Sequence, residues 1–185
     1  MTTTQTEDLV TLLDEDGRPI GSAPRPTVHT QDTPLHLAFS CYLTDARGRL
    51  LVTRRALSKK TWAGVWTNSF CGHPRPGEEL AEAITRHARH ELGLEVSDVR
   101  CVLPDFRYRA VDASGVVENE ICPVFVATTT QEVDPNPEEL AEHAWVDPRD
   151  AVRAVEVAPW ALSPWMVAQV AGLVAGGHLT QEPPG

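Results

Sequence analysis

The sequence predicts one α/β domain, a mixed β-sheet sandwiched between helices. Three observations carry this reading. Strand-like runs lie before and after a strongly amphipathic helix, the order of a layered α/β fold. Asp-Gly and Ser-Gly turn signals separate those runs. A chain of 185 residues, 42% apolar and 23% charged, is long enough for one sizeable core and ordinary for a globular protein. Residues 1–176 are assigned to this domain and residues 177–185, inside "GGHLTQEPPG", to a disordered tail.

The elements can be justified in chain order. "LVTLLDEDGRPIGSA" alternates around Asp16-Gly17 and reads as a hairpin. "LHLAFSCYL" and "GRLLVTRR" read as two strands joined by "TDARG". "GEELAEAITRHARHELGL" is the clearest helix. Acidic residues open it, suiting the positive end of the helix dipole, and Gly93 offers a left-handed stop. "DVRCVLPDFRYRAV" and "VVENEICPVFVATTT" form a second strand pair across Asp112-Ala113-Ser114-Gly115. A helix is expected at "PEELAEHAWV" or "PRDAVRAV", and another at "SPWMVAQVAGLVAG", with Pro164 in its first turn.

Composition excludes some functions. A formal charge of −10 argues against a phosphate-backbone binder of nucleic acid. No apolar run approaches the roughly 20 residues of a membrane span, and the N-terminus lacks the order of a signal peptide. The expected compartment is the cytoplasm, where Cys41, Cys71, Cys101 and Cys122 would be free thiols. Cys41, Cys101 and Cys122 read as core thiols. Cys71 is the exception, because it lies in "FCGH" beside a histidine.

On the clear helix, Leu80, Ala83, Ile84 and Ala88 form the apolar stripe, and Glu78, Glu82, Arg86 and Arg89 the solvated face. Glu91 falls within the stripe, one turn after His87. A carboxylate there needs a partner, a cation or a raised pKa, unless the helix end lets it escape to solvent. Elsewhere Glu118 and Glu120 share one face of a predicted strand, where like charges are destabilising unless something positive lies between them. His29, His36 and His73 complete a set of imidazoles and carboxylates suited to Mg²⁺, Mn²⁺ or Zn²⁺. Spacing alone does not make them converge.

The spacing G-x5-E-x7-R at Gly72, Glu78 and Arg86, continued by "HARHELGL", resembles the Nudix box, which presents carboxylates to divalent metals on diphosphates. It implies an α/β/α sandwich with a mixed sheet and flanking helices. A hydrolytic box would carry glutamates where His87 and His90 stand, so the hydrolytic acidic set is depleted. The segments "HTQDTPLHLAFS", "LLVTRRALSKKTWAGVWTNSFCGHP", "ELGLE", "DFRYRA", "VENEICPVF" and "PWALSPWM" cover most of the chain and resemble type I isopentenyl-diphosphate isomerases.

That resemblance implies interconversion of isopentenyl and dimethylallyl diphosphate through a tertiary carbocation. It makes Cys71 and Glu120 the two proton-transfer groups, in an order the sequence leaves open. It places His29, His36, His73, Glu118 and Glu120 around one divalent metal, and Glu91 with the Cys71 carbonyl around Mg²⁺ on the diphosphate. Arg25, Arg55 and Lys59 would hold the diphosphate, and the basic run "TRRALSKK" supports this independently. Trp165 would face the cation, worth about 2 kcal/mol when desolvated, and Tyr108 would hydrogen-bond near the catalytic carboxylate. His87 stands where the family leads one to expect an arginine. The remaining tryptophans, Trp62, Trp66, Trp145 and Trp160, read as packing, with Trp66 a candidate support for the active-site loop.

The expected partner is a small diphosphate, with no nucleic acid or membrane, and the chain is a monomer or weak homodimer. Three rival readings remain at this level: a diphosphate hydrolase on the same fold, a non-enzymatic domain with structural zinc, and a thiol-nucleophile hydrolase.

Overall fold

A computed structural model describes residues 8–179. Two sheets meet in it. The first contains β1 (Leu9–Leu13), β2 (Pro19–Pro24), β3 (His36–Leu37), β9 (Arg107–Val111) and β10 (Val117–Ile121), in the order β2-β1-β3-β10-β9. The second contains β4 (Phe39–Thr44), β5 (Leu50–Arg55), β8 (Ser97–Leu103), β11 (Val124–Thr128) and β12 (Leu140–Val146), in the order β12-β5-β4-β11-β8. Two short strands, β6 (Trp66–Thr67) and β7 (Phe70–Gly72), attach to β5 and β4 respectively. The helices are α1 (Arg25–Val28), α2 (Leu80–His87), α3 (Pro148–Val157) and α4 (Pro164–Ala175).

One parallel pair of chain segments links the sheets. β3 and β10 pair in parallel with His36 opposite Glu120, and β4 and β11 continue them in parallel with Ser40 opposite Val124. Between these pairs the Ala38 N–H donates to Ile121 O at 3.0 Å and the Ser40 N–H to Pro123 O at 3.1 Å, so the ladder survives the bend. Pro123 has no N–H to give, and the break falls beside it. Pro104 lies in the gap between β8 and β9 in the same way. The runs expected as single strands at 35–43, 98–111 and 116–130 are therefore each cut in two. The cut is what lets one segment serve both sheets.

The seven-stranded sheet carries helices on both faces. On one side Ala83 and Ile84 of α2, with Ala88 and Leu92 just beyond it, pack without solvent exposure against Phe39, Cys41, Leu43 and Leu51. Full burial of a side chain such as Ile84 or Leu92 contributes about 1.5–3 kcal/mol. On the other side Ala151 of α3 and Met166, Val170 and Leu173 of α4 cover Tyr42, Leu50 and Val124. Helix α2 continues as a π-helical turn over Ala88–Leu92 and stops at Gly93, whose φ of 65° suits glycine.

Several expectations need correction. Of the two helix options after residue 136, "AEHAWV" lies in strand β12, because β5 offers it a complete edge to pair with. The helix is α3, capped by Asp147, whose carboxylate accepts the Arg149 N–H at 2.9 Å. Cys101 is exposed rather than buried, since β8 is the last strand of its sheet. Trp160 is 86% exposed and packs into no core. Beyond Gly176, the His178 N–H closes back onto Leu173 O and Leu179 is buried. Residues 180–185 of the expected tail lie outside the described residues. Among the described residues no helix is long and apolar enough to cross a membrane.

Candidate active site

The bend between the sheets opens onto a cavity of about 650 Å³. Glu120 reaches it from β10, His29 from the turn after α1, and Cys71 and His73 from β7 and the loop beyond it, while His36, opposite Glu120 on β3, is fully buried behind them. Neither sheet alone supplies the set.

The ligating atoms of His29, His36, His73 and Glu120 all lie within 4.8 Å of one another. His73 Nε2 is 3.1 Å from Glu120 Oε1 and 3.2 Å from His36 Nε2, and His36 Nε2 is 3.4 Å from the same oxygen. The Pro34 carbonyl can only accept, so His36 donates Nδ1–H to it at 2.9 Å and turns Nε2 toward the cluster. Glu118 stands beside the cluster. Its Oε2 is 2.9 Å from His29 Nε2, and its Oε1 accepts the Thr61 hydroxyl at 2.7 Å. Yet His29 Nε2 is buried with no hydrogen-bond partner in acceptable geometry among the described residues.

The electrostatics reflect this crowding. Burial opposes ionisation of Glu120, but hydrogen bonds and charge from His36 and His73 outweigh it and hold the carboxyl well below the usual range. Burial likewise opposes protonation of His36, yet Glu120 raises its pKa. Burial dominates at His73 and lowers it, and His36 and His29 add repulsion. Three imidazoles crowded onto one carboxylate satisfy one another only in part. Imidazole nitrogens and carboxylate oxygens converging on one point, one nitrogen lacking a hydrogen bond, are the donor set of a divalent transition metal or Mg²⁺. The residues fit such an ion.

Cys71 is within the same cavity, its thiol pushed up to about 12 by burial, so the proton stays on sulfur at neutral pH. Tyr108 lies opposite Glu120 in the β9/β10 ladder, and its ring centroid is 5.7 Å from that of Trp165. Among the described residues no hydrogen bond joins its hydroxyl to Glu120. Trp165 is 3% exposed and meets Trp62 edge to face at 5.4 Å. Trp62, expected as packing, packs against Trp165 and the core beside it.

Arg25, Arg55 and Lys59 also line the cavity. The Arg55 guanidinium carbon lies 5.5 Å from the Trp165 ring centroid, and its N–H groups are held by the Thr61 carbonyl. Lys59 is ion-paired with Glu139, and Arg25 with Asp8 at 2.6 Å. Sequence reasoning missed Glu139, Asp8 and Thr61, which hold these groups in place. Nothing in local spacing marks them, since each meets its partner across a separation or through a tertiary loop.

Glu91 is 8% exposed and faces the cavity, so it does not escape to solvent. His87 Nδ1 sits 2.7 Å from its Oε1. The His87 ring occupies the space that a Cβ on Gly72 would enter, at 2.4–2.6 Å, which requires glycine there. Arg86 departs from the solvated face expected of it. It pairs with Glu78 at 2.6 Å and donates to the His73 carbonyl at 3.1 Å, because the loop from Gly72 folds over the helix. His90 is largely exposed, 3.6 Å from Glu139.

Comparison with known proteins agrees with this geometry. The NUDIX domain model matches residues 34–166. An isopentenyl-diphosphate Delta-isomerase of Clavibacter michiganensis is 63% identical over 90% of this chain and 86% of its own length. A protein of the same description from Mycolicibacterium vanbaalenii is 58% identical over 96% and 97%. Among solved structures, a Deinococcus radiodurans protein aligns with TM-score 0.66 at 20% identity, covering 88% of this chain and 97% of that one. A Nudix hydrolase from M. smegmatis aligns with TM-score 0.54 at 18% identity over 94% and 98%. The structural matches speak to the fold alone.

Proposed function

The chain belongs to the isopentenyl-diphosphate Delta-isomerases of the NUDIX-domain family, and from that premise we propose that the cavity at the bend is where it interconverts isopentenyl and dimethylallyl diphosphate. The observation that carries the assignment to this cavity is the meeting of Cys71, the His/Glu cluster and the cationic rim within one space.

Moving the double bond adds a proton to the terminal alkene carbon and removes one from the carbon on the diphosphate side. The positive charge rests meanwhile on the tertiary carbon between them. Two groups on different sides must carry those protons, and water must be kept from the cation. We assign these transfers to Cys71 and Glu120. Arg55, Lys59 and Arg25 bind the diphosphate, Lys59 and Arg25 exchanging Glu139 and Asp8 for phosphate oxygens. Trp165, with Trp62 and Tyr108 beside it, presents ring faces to the cation and excludes water.

His29, His36, His73, Glu118 and Glu120 would hold a divalent ion (Mn²⁺, Zn²⁺ or Mg²⁺), and Glu91 with the Cys71 carbonyl would hold Mg²⁺ on the diphosphate. When bound, these ions supply positive charge beside the Glu120 carboxyl and against the diphosphate oxygens. Both sheets contribute to this one centre, so residues 1–176 are proposed as a single catalytic domain.

The test is proton NMR of isopentenyl diphosphate incubated in D₂O with cation-loaded protein and with a chelated control. Deuterium entering a dimethylallyl product only in the loaded sample is expected. Release of phosphate or of isopentenol would replace the isomerase with a hydrolase.

A further inference from the structure

Asn68 is completely buried between β6 and β7, and its amide is the meeting point of three donors. Its Oδ1 accepts from the Thr67 hydroxyl at 2.8 Å, the Trp165 indole N–H at 3.0 Å and the Cys71 thiol at 3.3 Å. Its Nδ2 donates to the Cys41 and Phe70 carbonyls at 3.1 and 2.9 Å. The orientation of the amide is forced. A flipped side chain would set NH₂ against the indole N–H and oxygen against two carbonyls. Because Oδ1 can only accept, the thiol proton points to it. The Ser40 hydroxyl lies 3.3 Å from the Cys71 sulfur and 3.4 Å from the Cys122 sulfur. Ser40 in turn accepts from Gln169 Nε2 at 2.9 Å, and Gln169 Oε1 accepts from Tyr42 at 2.9 Å.

We propose that Asn68 is a positioning residue for the isomerisation: its single carbonyl oxygen fixes the direction of the Cys71 S–H bond and the plane of the Trp165 indole together. The inference rests on the roles proposed above for those two side chains. Its physical content is geometric. An S–H bond rotates freely unless something holds it, and the ring that faces the cation must be set at the same time as the thiol. Three donors compete for an oxygen with two lone pairs. Removing one strengthens the bonds of the others.

The test reads the S–H stretching band of Cys71 by vibrational difference spectroscopy against Cys71→Ala, which cancels Cys41, Cys101 and Cys122. In Asn68→Ala that band is expected to move up to the frequency of a free thiol. Turnover should fall about 10²-fold, the scale of a misplaced reacting group, with KM for isopentenyl diphosphate within about twofold of wild type. In Trp165→Phe the same band is expected to move down, since the thiol loses a competitor. That variant carries the test if Asn68→Ala does not fold. A Cys71 band unmoved in a folded Asn68→Ala, or unmoved in Trp165→Phe, overturns the proposal. Full turnover in Asn68→Ala also overturns it. Full turnover in Cys71→Ala would instead sink the thiol's role in the reaction, with the spectroscopic result for Asn68 still readable.

Discussion

Two halves of one cavity treat buried polar groups in opposite ways. Around Cys71, Asn68, Ser40, Gln169 and Tyr42 form a hydrogen-bonded chain in which the amides and hydroxyls are paired. Around Glu120, imidazole nitrogens and a carboxylate oxygen crowd to 3.1–3.4 Å, and His29 Nε2 has no hydrogen bond among the described residues. The first half is satisfied by the chain itself. The second is arranged to be completed by something positive from outside. A buried polar network that is only partly satisfied costs stability, so its retention points to a bound partner.

The comparison can be broken in four ways, from the largest expected effect to the smallest. Cys71→Ala should lower turnover by about 10³-fold or more, within the range of lost proton-transfer catalysis. It should still gain thermal stability on addition of a divalent cation, to the same extent as expected of the wild type. A loss of that gain would show that the halves are not separable. Second, a divalent cation at 100 times its Kd should stabilise the wild type by about 2.7 kcal/mol, read as a rise in Tm over the chelated protein. His73→Ala should lose most of the rise. An equal rise in that variant would put the ion elsewhere.

Third, Gln169→Leu should destabilise the protein by about 1–3 kcal/mol, because the Tyr42 hydroxyl is left buried without its acceptor. The loss should be the same with and without cation, measured by chemical denaturation. A cation-dependent loss would join the two networks. Fourth, the rim offers a control outside both halves. Burial opposes ionisation of Glu139, but Lys59 outweighs it and depresses its pKa. Its contribution is therefore complete above the unfolded value of about 4.3 and is lost as pH falls through the lower folded value. Glu139→Gln should narrow its stability gap to the wild type below about pH 4, measured by urea titration across pH. A gap unchanged down to pH 2 would show that the Lys59 pair contributes nothing.

Much of this site is legible in the chain. The period-two spacing of Glu118 and Glu120 and the placement of Glu91 in an apolar stripe each signal a buried carboxylate, and all three are at most 8% exposed. Cys71 stands apart from the other cysteines by its neighbours. Other parts are not legible. "TNSFC" carries Asn68 two residues before Phe70, but only the approach of α4 shows that Trp165 shares its oxygen. Cys101 resembles a core thiol because an edge strand and a central strand have the same local sequence pattern. Trp160 resembles packing because a short turn after α3 gives no periodicity from which to read its face. "AEHAWV" reads as helical as "PRDAVRAV", and the partner that makes it a strand lies some 90 residues earlier in β5.

The sequence by itself determined the donor types, the alternation that puts carboxylates on one strand face, the helix that carries Glu91, and the family. These are properties of local spacing and of side-chain chemistry. The tertiary structure alone decided that a parallel strand pair bends at Ala38 and Pro123, bringing His36 and Glu120 from one sheet to Cys71 and His73 from the other. It also decided which polar atoms are satisfied and which are left facing one another. Hydrogen bonding between segments tens of residues apart depends on distances that no local pattern encodes.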